Sequence, residues 1–319
     1  MRIAKNILEL IGQTPMVELS RINPTNVRIL AKLEYFNPGG SVKDRIGIHM
    51  IEQAEREGKL KPGMTIVEPT SGNTGVGLAL ACLLKGYKLV CTIPDKQSPE
   101  KIDLLRAYGA EVVVCPSAVE PDNPRSYYSM ARQIAKERNG FLPNQYENPG
   151  NPEAHYKTTG PEIWEQTKGQ LDAFVCGVGT GGTISGIGRY LKGKNPKVRI
   201  VGADPEGSMI YTKFYNQPHD VHPYLIEGIG EDIIPETLNL SSIDEIIRVK
   251  DKESYLMARE LLRREGLFVG SSGGSAVLGA LRYAEKMKNG TLVVLLPDSG
   301  RNYVGKVFSD SWMKEKGFI

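Results

Sequence analysis

Ala173-Phe174-Val175-Cys176-Gly177-Val178-Gly179-Thr180-Gly181-Gly182-Thr183 runs from an apolar, strand-like stretch into a turn of glycines and hydroxyls, and a helix-like stretch (183–192) follows. Glycines let backbone N–H groups converge on an anion, and the helix behind them adds the positive end of its dipole. Two more turns share this build. Thr70-Ser71-Gly72-Asn73-Thr74-Gly75 follows Met64-Thr65-Ile66-Val67, and Gly270-Ser271-Ser272-Gly273-Gly274-Ser275 follows the strand-like Leu267-Phe268-Val269. Any α/β protein has one such turn. Repetition within one chain points to a phosphorylated or carboxylated ligand gripped from several sides.

Around these turns the pattern alternates strand and helix. Strands are expected at 29–33, 64–67, 88–93, 111–115, 172–177, 198–203 and 292–296. Helices are expected at 42–57, 74–84, 98–108, 124–138, 183–192, 251–265 and 274–287. In the first helix Ile46, Met50 and Ala54 share one face. The strands are apolar without strict alternation, as parallel strands covered by helices on both faces should be. Residues 139–161 are poor in periodicity and rich in Pro, Asn and Gly, which makes them the natural domain junction. The reading is an α/β protein of two domains with a cleft between them.

Composition excludes several classes. The 35 glycines exceed the usual share of about 7% and sit largely in the turns, so they read as site architecture. Net charge is +3, and the basic residues are scattered along the chain, so nucleic acid is not indicated. No apolar run approaches the roughly 18 residues of a membrane span, and the N-terminus lacks a signal-peptide apolar block. Cys82, Cys91, Cys115 and Cys176 lie far apart, and three of them fall in apolar runs, which reads as buried free thiols in a reducing, cytoplasmic setting. His49, His155, His219 and His222 show no metal-ligand spacing, so no metal is expected.

A fourth polar turn carries the reactive group. Asn37-Pro38-Gly39-Gly40-Ser41-Val42-Lys43-Asp44-Arg45 leads into the first helix, with Ser41 expected as N-cap and Lys43 in the first turn. A cation there meets the positive end of the helix dipole, and a local rule broken in this way tends to mark function. The same field favours a neutral amine, the form needed for a Schiff base. An exposed lysine offset by Asp44 is the plainer reading of this segment alone. A lysine imine, a phosphate cup and ring contacts together are what pyridoxal phosphate requires.

Over essentially its whole length the chain resembles the cysteine synthase/cystathionine β-synthase family of fold type II pyridoxal-phosphate enzymes. The stretches that carry the resemblance are Gly12-Gln13-Thr14-Pro15, Asn37 to Arg45, Glu68 to Gly75, Asn144-Gln145-Tyr146-Glu147-Asn148-Pro149, Thr158 to Trp164, Gly177 to Thr183 and Glu227-Gly228-Ile229-Gly230. It implies two three-layer α/β domains with mostly parallel twisted sheets and the cofactor in the cleft. Residues 1–39 and 150–319 would form the larger, phosphate-binding domain, and 40–149 the smaller, mobile one.

It also implies roles, residue by residue. Lys43 looks like the Schiff-base lysine and general base. Asn73 would hydrogen-bond the ring hydroxyl oxygen. Thr70, Ser71, Gly72 and Thr74, with Gln145 and Gly228, would line the amino-acid substrate. Gly179, Thr180, Gly181, Gly182 and Thr183 would cradle the phosphate, and Ser272 would face the pyridine nitrogen. A neutral hydroxyl there makes a weaker electron sink than an acid would, which suits loss of a β-substituent better than transamination. In the implied cycle the substrate amine displaces Lys43, whose freed amine takes the α-proton; the β-group leaves and a thiol or sulfide adds. A homodimer is implied as well.

Within the family, several stretches look like cystathionine β-synthases: 94–101, 203–208, 297–303 and 309–318. Thr158 to Trp164 is closer to cysteine synthases, and Glu231 stands where animal and yeast cystathionine β-synthases carry a tyrosine. The expected reaction joins serine to homocysteine. O-acetylserine with sulfide and net β-elimination giving hydrogen sulfide are the rivals. No haem segment precedes the core and no paired regulatory modules follow it, so neither haem nor activation by S-adenosylmethionine is expected.

Two readings come from other classes. Gly177-Val178-Gly179-Thr180-Gly181-Gly182 fits the G-x-G-x-x-G of a nicotinamide-dependent dehydrogenase, with Asp204 near the ribose-binding position. That reading leaves Lys43, Asn73 and Ser272 without a role. A silent scaffold would not need every one of these positions filled.

Overall fold

In the computed structural model the described residues are 3–70, 72–95, 97, 99–120, 122–218 and 220–319. Among them nine strands form: β1 Met16–Glu18, β2 Arg28–Leu33, β3 Thr65–Pro69, β4 Lys88–Pro94, β5 Glu111–Cys115, β6 Ala173–Gly177, β7 Arg199–Pro205, β8 Glu245–Val249 and β9 Thr291–Leu296. The chain divides into two compact units. One comprises residues 3–11 and 37–154, the other Gly12–Phe36 and His155–Ile319.

The first unit holds a parallel sheet of order β3-β4-β5. Helix Lys43–Arg56 buries Ile46, Met50 and Ala54, the face read from its periodicity, in one core with Val76, Leu78 and Cys82 of helix Asn73–Lys85. The two helices touch backbone to backbone. A Cβ on Gly47 would lie 2.4 Å from the carbonyl carbon of Gly77, and one on Gly77 would lie 2.5 Å from the carbonyl oxygen of Lys43. No side chain larger than hydrogen fits at either position.

The second unit holds a six-stranded sheet of order β1-β2-β9-β6-β7-β8, parallel except for β1. All of Leu292 to Leu296 in β9 is buried, as expected of a strand covered on both faces. Lys32 of β2 is fully buried, yet its ammonium donates to Thr14 O (2.7 Å), Glu162 Oε2 (2.7 Å) and Gln166 Oε1 (2.9 Å). Three acceptors match its three donors, which is the condition for keeping a cation inside a core.

Three expectations need correction. Leu267–Val269 is not a strand; its one sheet-like contact is an isolated bridge from Val269 to Ser299. Strands β1 and β8 were not anticipated: the first has three residues, and the second, Glu-Ile-Ile-Arg-Val, carries charge inside its apolar run. The 139–161 segment is helical from Gly150 onward, as Gly150–Lys157 and Thr159–Gln166. The helix expected at 251–265 is helical throughout, with regular turns over Asp251–Glu260 and a wider last turn over Leu261–Glu265 before Gly266 at φ 71°.

Asp204 ends β7 fully buried. Its Oδ2 accepts from Tyr211 N (2.9 Å), while Oδ1 has no partner among the described residues. Burial pushes its acid up to about 7, against the opposing pull of Ser208, Tyr211 and the Arg248 charge. A carboxyl raised in the folded state holds its proton more tightly than in the unfolded chain. Its stabilising contribution is therefore complete below the unfolded value and fades as pH rises through about 7.

Two outcomes follow for urea unfolding. Gly77→Ala should cost about 1–3 kcal/mol at the least, because backbone cannot move aside as a side chain can. Wild-type stability should drop between pH 5 and pH 8, and Asp204→Asn should flatten that drop; an unchanged slope in the variant would show the carboxyl to be silent.

Candidate active site

Lys43 opens helix Lys43–Arg56 and is partly buried. The helix N-cap is Val42, not Ser41. Ser41 still serves the turn, since its Oγ accepts from Lys43 N at 3.2 Å. Asp44 does not simply offset the lysine either. Its Oδ2 accepts from Gly39 N at 2.5 Å and shapes the turn that precedes the helix. The contact at Gly77 then sets the Lys43 carbonyl against the second helix, which begins at Asn73.

The loop before Asn73 is built around one hydroxyl. Thr70 Oγ1 accepts from Gly72 N (3.0 Å) and Gly75 N (3.3 Å), and Gly72 sits at φ 130°, where glycine alone is at ease. Gly72 is also the helix N-cap and makes no side-chain cap. Thr74 Oγ1 donates to Gln145 Oε1 at 2.7 Å, so these two expected substrate residues meet. Ser71 lies outside the described residues, as do Lys96, Ser98 and His219.

The second unit gathers the other expected residues. Gly181 is the N-cap of helix Gly182–Lys194 at φ 80°, again without a side-chain cap. A Cβ there would lie 2.4 Å from the Leu238 side chain, and one on Gly179 would lie 2.8 Å from Gly228 O. Thr237 Oγ1 donates to Thr180 O (2.5 Å), and Gly230 N donates to Val178 O (2.7 Å). Ser272 is buried in the first turn of helix Ser271–Ala284, and a Cβ on Gly228 would lie 4.0 Å from its Oγ. The 179–183 turn, the Gly228 loop and Ser272 therefore share one neighbourhood.

Two residues escaped the sequence reading. His155 is fully buried, and its ring nitrogens bridge two hydroxyls: Nδ1 to Thr159 Oγ1 (2.9 Å) and Nε2 to Thr183 Oγ1 (3.2 Å). Among the described residues no group of three or more His, Cys, Asp or Glu is placed to hold a metal ion. Glu68 is fully buried in β3, and burial pushes its acid up to about 8 against the N–H groups of Gln145 and Asn144 and the Lys43 charge. An acid inside a short apolar strand was the signal available for it.

These residues fit pyridoxal phosphate. The glycine turn ahead of a 13-residue helix, closed to any Cβ and free of a side-chain cap, suits a phosphate. The first unit carries a lysine amine at Lys43, and the second a neutral hydroxyl at Ser272. No helix among the described residues is long and apolar enough to cross a membrane.

Comparison with known proteins agrees. A cystathionine beta-synthase of Oryctolagus cuniculus is 48% identical over 323 residues, covering 100% of this chain and 59% of that protein. The chain spans about three fifths of the length of the cystathionine beta-synthases it matches. A cysteine synthase of Staphylococcus aureus is 46% identical over 302 residues, covering 94% of this chain and 95% of that protein. Among solved structures, an O-acetylserine dependent cystathionine beta-synthase from Helicobacter pylori superposes with a TM-score of 0.88 at 37% identity, covering 96% of this chain and 99% of that one. The family described as "Pyridoxal-phosphate dependent enzyme" matches residues 7–298, and the chain belongs to it.

Proposed function

We propose that this enzyme catalyses β-replacement on L-serine or an activated serine, joining it first of all to homocysteine to give cystathionine. The observation that carries the reading is the loop from Thr70 to Gly75. It sets the hydroxyls of Thr70 and Thr74 at a helix N-terminus, closed on one side by Gln145 through its 2.7 Å bond from Thr74. Such a nest suits the carboxylate of an amino acid. The Gly77 contact fixes the Lys43 backbone to the helix that starts there.

On this reading Lys43 would hold the cofactor, with Asn73 and Ser272 on its ring and residues 179–183 on its phosphate. The chemistry the cofactor supplies when bound is that of an electron sink at the substrate's α-carbon. Thr70, Ser71, Gly72, Thr74, Gln145 and Gly228 line the amino acid and orient its α-hydrogen. Lys43 Nζ takes that proton as general base. The His155–Thr183 bond holds one phosphate-binding hydroxyl in place. We place the enzyme in the cytoplasm as a homodimer acting on small amino-acid and thiol substrates.

A second reading has its own support. The S. aureus relative named cysteine synthase is matched over 95% of its length, and the H. pylori structure is named as O-acetylserine dependent. O-acetylserine as donor, with sulfide or homocysteine as acceptor, uses the same residues. So does elimination that releases hydrogen sulfide from cysteine.

Lys43→Ala should abolish the visible absorption of the lysine-linked cofactor and lower turnover by roughly 10²–10⁴-fold or more; a coloured, active variant would end the assignment. The substrate is decided by offering serine, O-acetylserine, O-phosphoserine and cysteine against sulfide and homocysteine and identifying each product. Cystathionine from serine is the expected outcome. Cysteine from O-acetylserine and sulfide, with no cystathionine from either donor, would replace it with the second reading.

A further inference from the structure

Glu68 stands beside the expected site without a part in the chemistry above. It lies next to the last residue of β3, opposite Cys91 of β4, with no exposed surface. Its two oxygens are aimed at one turn: Oε2 accepts from Asn144 N (2.8 Å) and Oε1 from Gln145 N (3.0 Å). Asn144 holds φ at 52°, in the left-handed region, which asparagine tolerates better than most non-glycine residues. Beyond that turn the Gln145 side chain spans the loop, with Nε2 donating to Pro69 O (3.2 Å) and Oε1 accepting from Thr74 Oγ1 (2.7 Å). Asn151 Nδ2 ties down the Gln145 carbonyl at 2.8 Å.

A buried carboxyl is costly, and an apolar residue would fill a short parallel strand more cheaply. What the acid contributes is a pair of acceptors matched to two consecutive N–H groups. Nothing in the strand itself needs them.

We propose that Glu68 is a positioning residue: its carboxylate clamps the Asn144–Gln145 turn and so presents the Gln145 amide to the carboxylate of the incoming amino acid. This rests on the β-replacement reading, since the amino acid is what Gln145 would meet. The charged group of helix Lys43–Arg56 that acts on Glu68 is Lys43, which favours the ionised form. Cys91 of β4 also feels it, but burial raises that thiol's own acid far enough to leave it neutral. The clamp strengthens as Glu68 ionises, because a carboxylate accepts from both N–H groups while a protonated acid gives up part of that capacity.

The test titrates holoenzyme with L-serine and with O-acetyl-L-serine, following the cofactor's absorption. At pH 9, where Glu68 is ionised, Glu68→Gln should raise the amino-acid Kd about tenfold or more with cofactor content unchanged. Gln145→Ala should do the same, and the double variant should be no worse than either single one. A Kd within twofold of wild type for Glu68→Gln, or additive losses in the double variant, would overturn the proposal. If wild type responds to neither amino acid, the functional reading itself falls, which is a different result. If Glu68→Gln does not fold, hydrogen exchange on the wild-type holoenzyme decides. Protection factors of the Asn144 and Gln145 amides should rise between pH 6.5 and pH 9.5; constant factors would refute the clamp.

Discussion

Backbone lies on backbone where helix Lys43–Arg56 meets helix Asn73–Lys85, and the first unit's candidate residues are arranged around that contact. Gly47 and Gly77 remove the two side chains that would hold the helices apart. Each helix begins where chemistry is expected, one at Lys43 and the other at Asn73. Closing the gap places the amine's own peptide unit against the helix whose N-terminus faces the amino acid on the proposed reading. Larger side chains at the crossing would move both helix starts together. Glycine here is therefore a requirement of distance, since neither residue has a positive φ.

The second unit meets the same need by different means. Gly179 and Gly181 are closed to a Cβ by Gly228 and Leu238, and Gly177 by Ile229 at 2.6 Å. The turn that suits a phosphate is thus walled by the segment that carries Gly228, and the Gly230 N to Val178 O bond fastens the two. His155 fixes Thr183 from the opposite end of the same turn. A hydroxyl held by a buried imidazole is already oriented before any anion arrives, which lowers the cost of ordering it on binding. Lys306 ties the Gly228 segment from outside through its 2.6 Å ion pair with Glu227. Preorganisation here comes from packing and hydrogen bonds within one unit.

Most of the α/β alternation was legible because parallel strands such as β9 are apolar along their whole length and the helix at 43–56 shows its buried face at helical spacing. That Lys43, Asn73, the 179–183 turn and Ser272 stand at helix starts was legible from the glycines and hydroxyls around them, while the roles proposed for them rest on the family resemblance. Leu267–Val269 misled because three apolar residues before a glycine turn look like a strand, whereas here they are packed without a neighbouring strand to pair along. β8 was hidden by the charges of Glu245 and Arg248. His155 and Glu68 escaped because each acts through partners distant in sequence: Thr183 lies 28 residues from His155, and Gln145 lies 77 residues from Glu68. No local spacing rule reaches that far.

The choice between serine and an activated serine turns on the leaving group. Hydroxide is a poor one, so serine's oxygen must be protonated as it departs, whereas acetate leaves unaided. Lys43 Nζ, having taken the α-proton on the proposed reading, is then the ammonium at hand to return a proton to that oxygen. The same amine can thus act as base and then as acid for serine, and as base alone for O-acetylserine. Retaining the lysine therefore does not discriminate the donors. On the proposed reading discrimination falls to what surrounds the β-carbon, and the family resemblance would set Glu231 beside it. Its backbone is pinned by Ser208 Oγ (3.1 Å from Glu231 N) and by Met209 N donating to Glu231 O at 2.7 Å, so the position is held firmly even though its residue type differs from that of the animal and yeast cystathionine β-synthases.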